Sequence, residues 1–140
     1  MQSDALARLI QRCHASCCFY RIAASCTDNA VLRNVFQYLA VTRQALYAEL
    51  VGQFAESVGE IALDEEFFCL YQHCLKRLHG DGVEAELLDY LEAAEAQLLG
   101  ECSRLLEQTG TPSLRPVLVV HLPRIRETCA ELRSLKNLMN

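Results

Sequence analysis

Glycine, proline and tryptophan are scarce in this sequence. Its 140 residues include 6 glycines, 3 prolines and no tryptophan. This scarcity excludes collagen-like and Gly/Pro-rich low-complexity chains, which are built on those residues. No stretch alternates apolar and polar residues for long enough to predict a convincing β-strand. The sequence therefore predicts an all-α protein, folded as a single domain over residues 1–140.

The sequence also has no excess of positive charge and no long apolar run. Its formal net charge is −5, so it does not predict the broad basic surface that nonspecific binding to nucleic acid or to an anionic membrane requires. The longest apolar run, residues 117–122, contains His121 and is far too short to cross a bilayer. The first residues show no basic region followed by an apolar stretch, as a signal peptide does. We therefore expect a cytoplasmic protein that binds neither nucleic acid nor membrane.

Cysteine, in contrast, is abundant, with eight residues. No two cysteines form the C-x-x-C pair that is typical of zinc ribbons and thioredoxin-like sites, and a cytoplasmic location predicts reduced thiols. Three pairs of thiol or imidazole groups lie four residues apart: Cys13 with Cys17, His14 with Cys18, and Cys69 with His73. Such thiols can serve as small hydrophobic side chains in a core. They can equally share a Cu(I) or Zn ion, so the spacing leaves both interpretations open.

Apolar residues recur every three or four positions in five segments, which are separated by turn-forming residues. The predicted helices span residues 3–26, 29–57, 64–79, 83–108 and 114–138. Two long helical hairpins joined by one long crossover predict a ferritin-like up-down four-helix bundle, with the short helix 64–79 in the crossover. Pro123 lacks the N–H needed inside a helix, so we expect the last helix to kink or restart there.

A glutamate occupies a position in the fourth predicted helix where its neighbours in the pattern are apolar. The seam consists of Leu88, Leu91, Glu95, Leu98, Cys102 and Leu105. Burying a lone carboxylate costs several kcal/mol, roughly, unless it is paired, protonated or bound to a metal. We predict that Glu95 is buried near Cys129, and that Arg43 or Arg126 is the partner that neutralises it if no metal does.

Several short motifs have the order and spacing of a known family. They are L-x-x-L-I at residues 6–10, Y-R-x-A-A at residues 20–24, R-x-x-x-x-x-E-L at residues 43–50, and E-x-x-E at Glu92 and Glu95. Together with the crossover helix, these motifs resemble a small bacterial ferritin-like family that is known as a domain of unknown function. The resemblance covers nearly the whole chain. It implies a ferritin-like bundle and no established activity.

A ferritin-like di-iron centre needs a Glu from each of two helices and a Glu-x-x-His from each of the other two. The matching positions here hold Cys17 and Cys18, Thr42 and Ala45, Glu92 and Glu95, and Arg126 and Cys129. The location of the site is therefore kept, whereas most of its ligands are not. The metal ligands that remain conceivable are Cys13, Cys17, Glu92, Glu95 and Cys129.

Three functions remain open at this stage. The first is a non-catalytic ferritin-like scaffold or interaction protein with a degenerate di-iron site. The second is a cytosolic Cys/His protein that binds Cu(I) or Zn, and the third is residual iron binding or ferroxidase activity through Glu92, Glu95 and Glu49. Catalytic residues and a cofactor-binding site are not predicted, and the chain is more in keeping with a non-enzyme. The aromatic residues Phe67, Phe68 and Tyr71 are expected to pack the crossover helix against the bundle. Any part of this cluster that stays exposed is the best candidate for the surface of a homodimer or another protein partner.

Overall fold

Four α-helices make up almost all of the described part of the protein. The computed structural model describes residues 2–58, 72, 84–108 and 113–139. The helices are α1 (Gln2–Cys26), α2 (Ala30–Val58), α3 (Glu84–Glu107) and α4 (Leu114–Met139). These ranges contain no strand, so the all-α prediction is confirmed. No helix within them combines the length and apolarity needed to cross a bilayer.

The ends of the four long helices follow the sequence pattern closely, each lying within one residue of its predicted position. The predicted short helix 64–79 lies outside the described residues apart from Gln72. The aromatic residues 67, 68 and 71, expected to pack this helix against the bundle or to form a partner surface, lie outside them as well.

The side-chain oxygens of Thr27 and Asn29 stabilise the turn between α1 and α2 by accepting backbone hydrogen bonds. Asn29 Oδ1 accepts hydrogen bonds from the backbone N–H groups of Val31 at 2.9 Å and Leu32 at 3.1 Å. Thr27 Oγ1 accepts the N–H of Asn29 at 3.2 Å. Because these oxygens satisfy N–H groups that have no partner inside a helix, Asn29 serves as the N-cap of α2.

Each of the four described helices packs against two of the others and does not contact the helix diagonally opposite. The packed pairs are α1 with α2, α3 with α4, α1 with α3, and α2 with α4. One apolar cluster joins the second half of α1 and the first half of α2 to the start of α3 and the end of α4. The other cluster joins the four opposite ends. Neighbouring helices are therefore antiparallel, and α2 and α3 run in the same direction on one diagonal.

Pro123 does not interrupt α4, which is continuous from Leu114 to Met139. The helix does not restart at this residue, so this part of the prediction is wrong, whereas a kink stays a prediction. Pro123 lies on the exposed side of the helix, and Val119, whose carbonyl loses its helical donor, is 51% exposed. A carbonyl that is open to water needs no protein partner, so the helix tolerates the proline.

Candidate functional site

A layer of polar side chains crosses the bundle where the two apolar clusters meet. Each helix contributes one buried polar residue to this layer: Ser16, Arg43, Glu95 and Thr128. Along α2, α3 and α4 each of these residues lies between the last member of one cluster and the first member of the other. This is the level at which the sequence placed a degenerate metal site.

Glu95 forms a buried ion pair with Arg43 and a hydrogen bond with Tyr20. Arg43 Nη2 lies 2.5 Å from Glu95 Oε1, and the Tyr20 hydroxyl donates to the same oxygen at 2.7 Å. The exposed fractions of Arg43 and Glu95 are 2% and 1%. The predicted burial of Glu95 is confirmed. Of its two candidate partners, Arg43 forms the pair, while Arg126 lies exposed on α4.

This network suits a carboxylate and disfavours a metal cation. The guanidinium of Arg43 carries a full positive charge and has donors but no acceptor, so it neutralises Glu95 and repels a cation. The Tyr20 phenol occupies a lone pair of the same oxygen. A cation at Glu95 Oε1 would have to compete with both groups, and a cation at the other carboxylate oxygen would lie close to the positive charge of Arg43.

The two hydroxyls of the polar layer are satisfied within their own helices. Ser16 Oγ donates to the carbonyl of Cys13 at 3.1 Å, and Thr128 Oγ1 donates to the carbonyl of Arg124 at 3.0 Å. Such bonds within a helix satisfy a hydroxyl without any partner from another helix. Glu95, in contrast, bonds to residues of two other helices, Tyr20 of α1 and Arg43 of α2.

The five candidate metal ligands have different surroundings. Cys13 is fully buried and belongs to the apolar cluster that also contains Cys102. Cys17 is buried, and its thiol donates to Gln44 Oε1 at 3.3 Å. Glu92 lies at the edge of the bundle, where Arg133 Nε approaches its Oε1 at 3.0 Å.

The remaining candidate ligands are Glu95 and Cys129. Burial raises the pKa of the half-buried Cys129 thiol, and the nearby negative charge of Glu95 raises this pKa further. Over the ranges that the structure describes, no three His, Cys, Asp or Glu side chains converge as metal ligands would. Metal binding by Cys13, Cys17, Glu92, Glu95 and Cys129 stays a prediction.

One thiol and imidazole pair is brought together on the surface of α1. Cys18 Sγ lies 3.7 Å from His14 Nε2, one helical turn away. The His14 ring stacks on Tyr47 with a centroid distance of 5.1 Å, which restrains the imidazole. Two ligands of this kind can begin a site for a soft metal, although a closed zinc site has four.

Three buried polar groups were not predicted from the sequence. The Tyr20 hydroxyl donates to Glu95, as a buried tyrosine usually finds a partner for this group. Glu101 is buried and forms an ion pair with Arg12 of α1. His121 is buried with Nε2 3.1 Å from Glu49 Oε1.

Burial keeps several thiols protonated. It raises the pKa of Cys102 from an ordinary value of 9.0 to about 12, and the effect outweighs the nearby positive charge of Arg43. Burial also raises the pKa values of Cys13, Cys17 and Cys129. Because the thiolate is the nucleophile and the metal ligand, these four thiols are poorly reactive in the folded protein at neutral pH.

The raised pKa of Cys102 predicts a loss of stability in alkali. The unfolded chain releases this proton near pH 9 and the folded chain near pH 12, so the contribution of the thiol is complete below pH 9 and is lost between these values. We expect the free energy of unfolding to fall by about 1.4 kcal/mol per pH unit from this group. Urea titrations from pH 8 to pH 10.5 with reductant would measure the fall.

The matched variants are Cys102→Ala and Leu98→Ala, which both remove buried atoms from α3. Cys102→Ala should show a shallower decline of stability with pH, whereas Leu98→Ala should be less stable but parallel to the unmodified protein. Parallel curves for all three proteins would contradict the prediction.

Comparison with known proteins adds no assignment, since no family model, curated protein sequence or solved structure matches this chain.

Proposed function

We propose that this chain is a non-catalytic, ferritin-like helical scaffold in which an ion pair has replaced the metal centre. Its function is interaction with a second copy or with another protein, in the bacterial cytoplasm. The observation that carries the proposal is the contact of Arg43 and Tyr20 with Glu95 at the middle of the bundle.

Helix order supports the ferritin-like part of the proposal. Two antiparallel hairpins, with α2 and α3 parallel on a diagonal, require a long connection from the end of α2 to the start of α3. Ferritin-like bundles have one such crossover. The 25 residues between Val58 and Glu84 in this chain are long enough to span the bundle.

The chemistry of the polar layer supports the non-catalytic part. A di-iron centre gathers four carboxylates and two imidazoles on facing helices. Here the layer holds one carboxylate, one guanidinium and two hydroxyls. Residual ferroxidase activity is the weaker alternative, because Glu92 is engaged with Arg133 and Glu49 with His121, at the edges of the bundle.

Exposed apolar side chains support a role in interaction. Val31, Tyr38 and Val41 of α2 are 56%, 51% and 70% exposed. Their spacing of seven and three residues places them on one side of the helix. Apolar side chains grouped in this way are typical of a surface that a partner covers.

A second candidate function is soft-metal binding through the surface pair of His14 and Cys18. The 3.7 Å contact between these side chains is the observation that favours it. Unlike Cys13 and Cys17, whose pKa values burial raises, Cys18 lies partly exposed at the surface.

Metal content per chain tests both candidates. The reduced protein would be incubated anaerobically with Fe(II), Cu(I) or Zn(II), desalted and analysed by plasma mass spectrometry. The scaffold predicts well below one metal ion per chain in every case. Stoichiometric iron that is lost in Glu95→Gln would overturn it, whereas stoichiometric copper or zinc that is lost in Cys18→Ser would establish the second candidate.

A further inference from the structure

A groove of about 780 Å³ lies between α1 and α2. It is lined by Arg21, Ala24, Ser25, Arg33, Gln37, Ala40, Val41 and Gln44. The volume is in the range of small-molecule sites. Of its lining residues, Val41 also belongs to the exposed apolar side of α2 described above, whereas the two arginines do not.

The base of the groove is apolar and its sides are polar. Ala24 and Ala40 are 7% and 6% exposed, and their small side chains leave room between the two helices. Val41 adds an apolar side chain that is largely exposed. A ligand with an apolar segment would cover this surface and remove it from water.

Two arginines face the groove from different helices. Arg21 Nη2 donates to Gln44 Oε1 at 3.2 Å, and Arg33 Nη2 donates to the carbonyl of Thr27 at 3.0 Å. Each of these bonds fixes one end of a guanidinium that has five N–H donors, so both arginines keep donors for a ligand. The carboxamides of Gln37 and Gln44 line the same surface.

The charge of the groove is opposite to that of the chain. No acidic residue is among the described residues that line it, although the net charge of the chain is −5. Among the described residues no carboxylate pairs with Arg21 or Arg33, so both guanidiniums can attract an anion, and a guanidinium can bind two oxygens of a carboxylate or phosphate at once. The combination of an anion-binding side and an apolar base defines the ligand class.

We propose that the groove between α1 and α2 binds a small amphiphilic anion, a carboxylate or phosphate carrying an alkyl chain. Arg21, held beside Gln44, and Arg33, held at the turn between α1 and α2, attract the anionic head by their positive charge, and Ala24, Ala40 and Val41 contact the alkyl chain. This binding does not depend on the state of the polar layer, so it can be tested whether or not the protein retains metal.

Isothermal titration calorimetry would test the proposal with octanoate and octyl phosphate, each below its micellar concentration. We expect one site per chain for these anions. Arg21→Gln and Arg33→Gln should each weaken binding by about tenfold or more, which is the effect of removing one hydrogen bond to a charged group. Arg133→Gln, which changes an exposed arginine of α4, is the matched control and should bind normally.

Two further probes separate the roles of charge and apolar surface. Octyl glucoside carries the same alkyl chain without charge, and inorganic phosphate carries the charge without the chain. Equal binding of either probe to the protein would overturn the proposal, as would the absence of any heat with octanoate and octyl phosphate.

Val41→Asp provides a second variant that does not disturb the core, because Val41 is 70% exposed. Its carboxylate would compete for the arginines and repel the ligand, so binding should be lost while the melting temperature stays within a few degrees. Unchanged binding in this variant would place the ligand elsewhere and overturn the proposal.

Discussion

Replacing Arg43 with methionine should lower the free energy of unfolding by about 3–5 kcal/mol, the cost of leaving a buried charge without its partner. The guanidinium lies 2.5 Å from Glu95 Oε1, and both side chains are excluded from water. Methionine keeps the apolar part of the side chain but supplies no charge. Glu95 would then keep only the hydrogen bond from Tyr20. Urea unfolding followed by circular dichroism would measure the change.

The matched control is Arg133→Met, which removes an exposed ion pair with Glu92. Exposed pairs contribute about 0–1 kcal/mol, so the two variants should differ severalfold. The double variant Arg43→Met with Glu95→Leu removes both charges, and we expect it to recover most of the lost stability because no unpaired charge remains buried. Equal effects of Arg43→Met and Arg133→Met on the free energy of unfolding would contradict the prediction, because the buried ion pair would then contribute no more than the exposed one.

Replacing Phe36 with alanine should have a comparable effect through packing, with a loss of about 3–5 kcal/mol. Phe36 is fully buried, and its ring contacts those of Phe19 at 6.4 Å and Tyr20 at 6.2 Å between centroids. The substitution leaves a cavity beside Tyr20. Because Tyr20 donates to Glu95, the cavity also loosens one of the two groups that hold the carboxylate.

Tyr38→Ala is the control for this prediction, since it truncates an aromatic ring two residues further along the same helix. Tyr38 is 51% exposed, and its truncation should change the free energy of unfolding by no more than about 0.5 kcal/mol. The same urea titrations apply to both variants. A Phe36→Ala protein as stable as Tyr38→Ala would contradict the packing described for this half of the bundle.

Local patterns in the sequence were sufficient to predict the helices and the burial of Glu95. Helix periodicity depends on residues three and four apart, and caps such as Asn29 act on their next neighbours. Glu95 lies in an apolar seam, so its burial follows from the same periodicity. The effect of Pro123 could not be predicted as fully, because it depends on which face of α4 meets water. Of the two predicted outcomes, a kink or a restart, the structure contradicts the restart.

The partner of Glu95 could only be narrowed to two arginines, because the choice depends on how α2 and α4 are rotated about their axes. Arg43 and Arg126 both occupy inward-leaning positions in the sequence pattern, yet Arg43 is buried and Arg126 is exposed. The partner of Tyr20 could not be predicted for the same reason. The sequence pattern places Tyr20 on the inner side of α1, but it does not show which residue of another helix accepts the hydrogen bond from its hydroxyl. Contacts between residues far apart in sequence are set by helix packing.

For this protein, the sequence by itself determined four long helices, their turns, an acidic chain rich in thiols, and a buried glutamate, because each of these depends on composition or on short-range periodicity. Only the tertiary structure decided that Arg43 and Tyr20 hold this glutamate, that His121 is buried beside Glu49, and that Arg21 and Arg33 line one groove. These features join side chains of different helices, so they exist only once the helices have taken their relative positions.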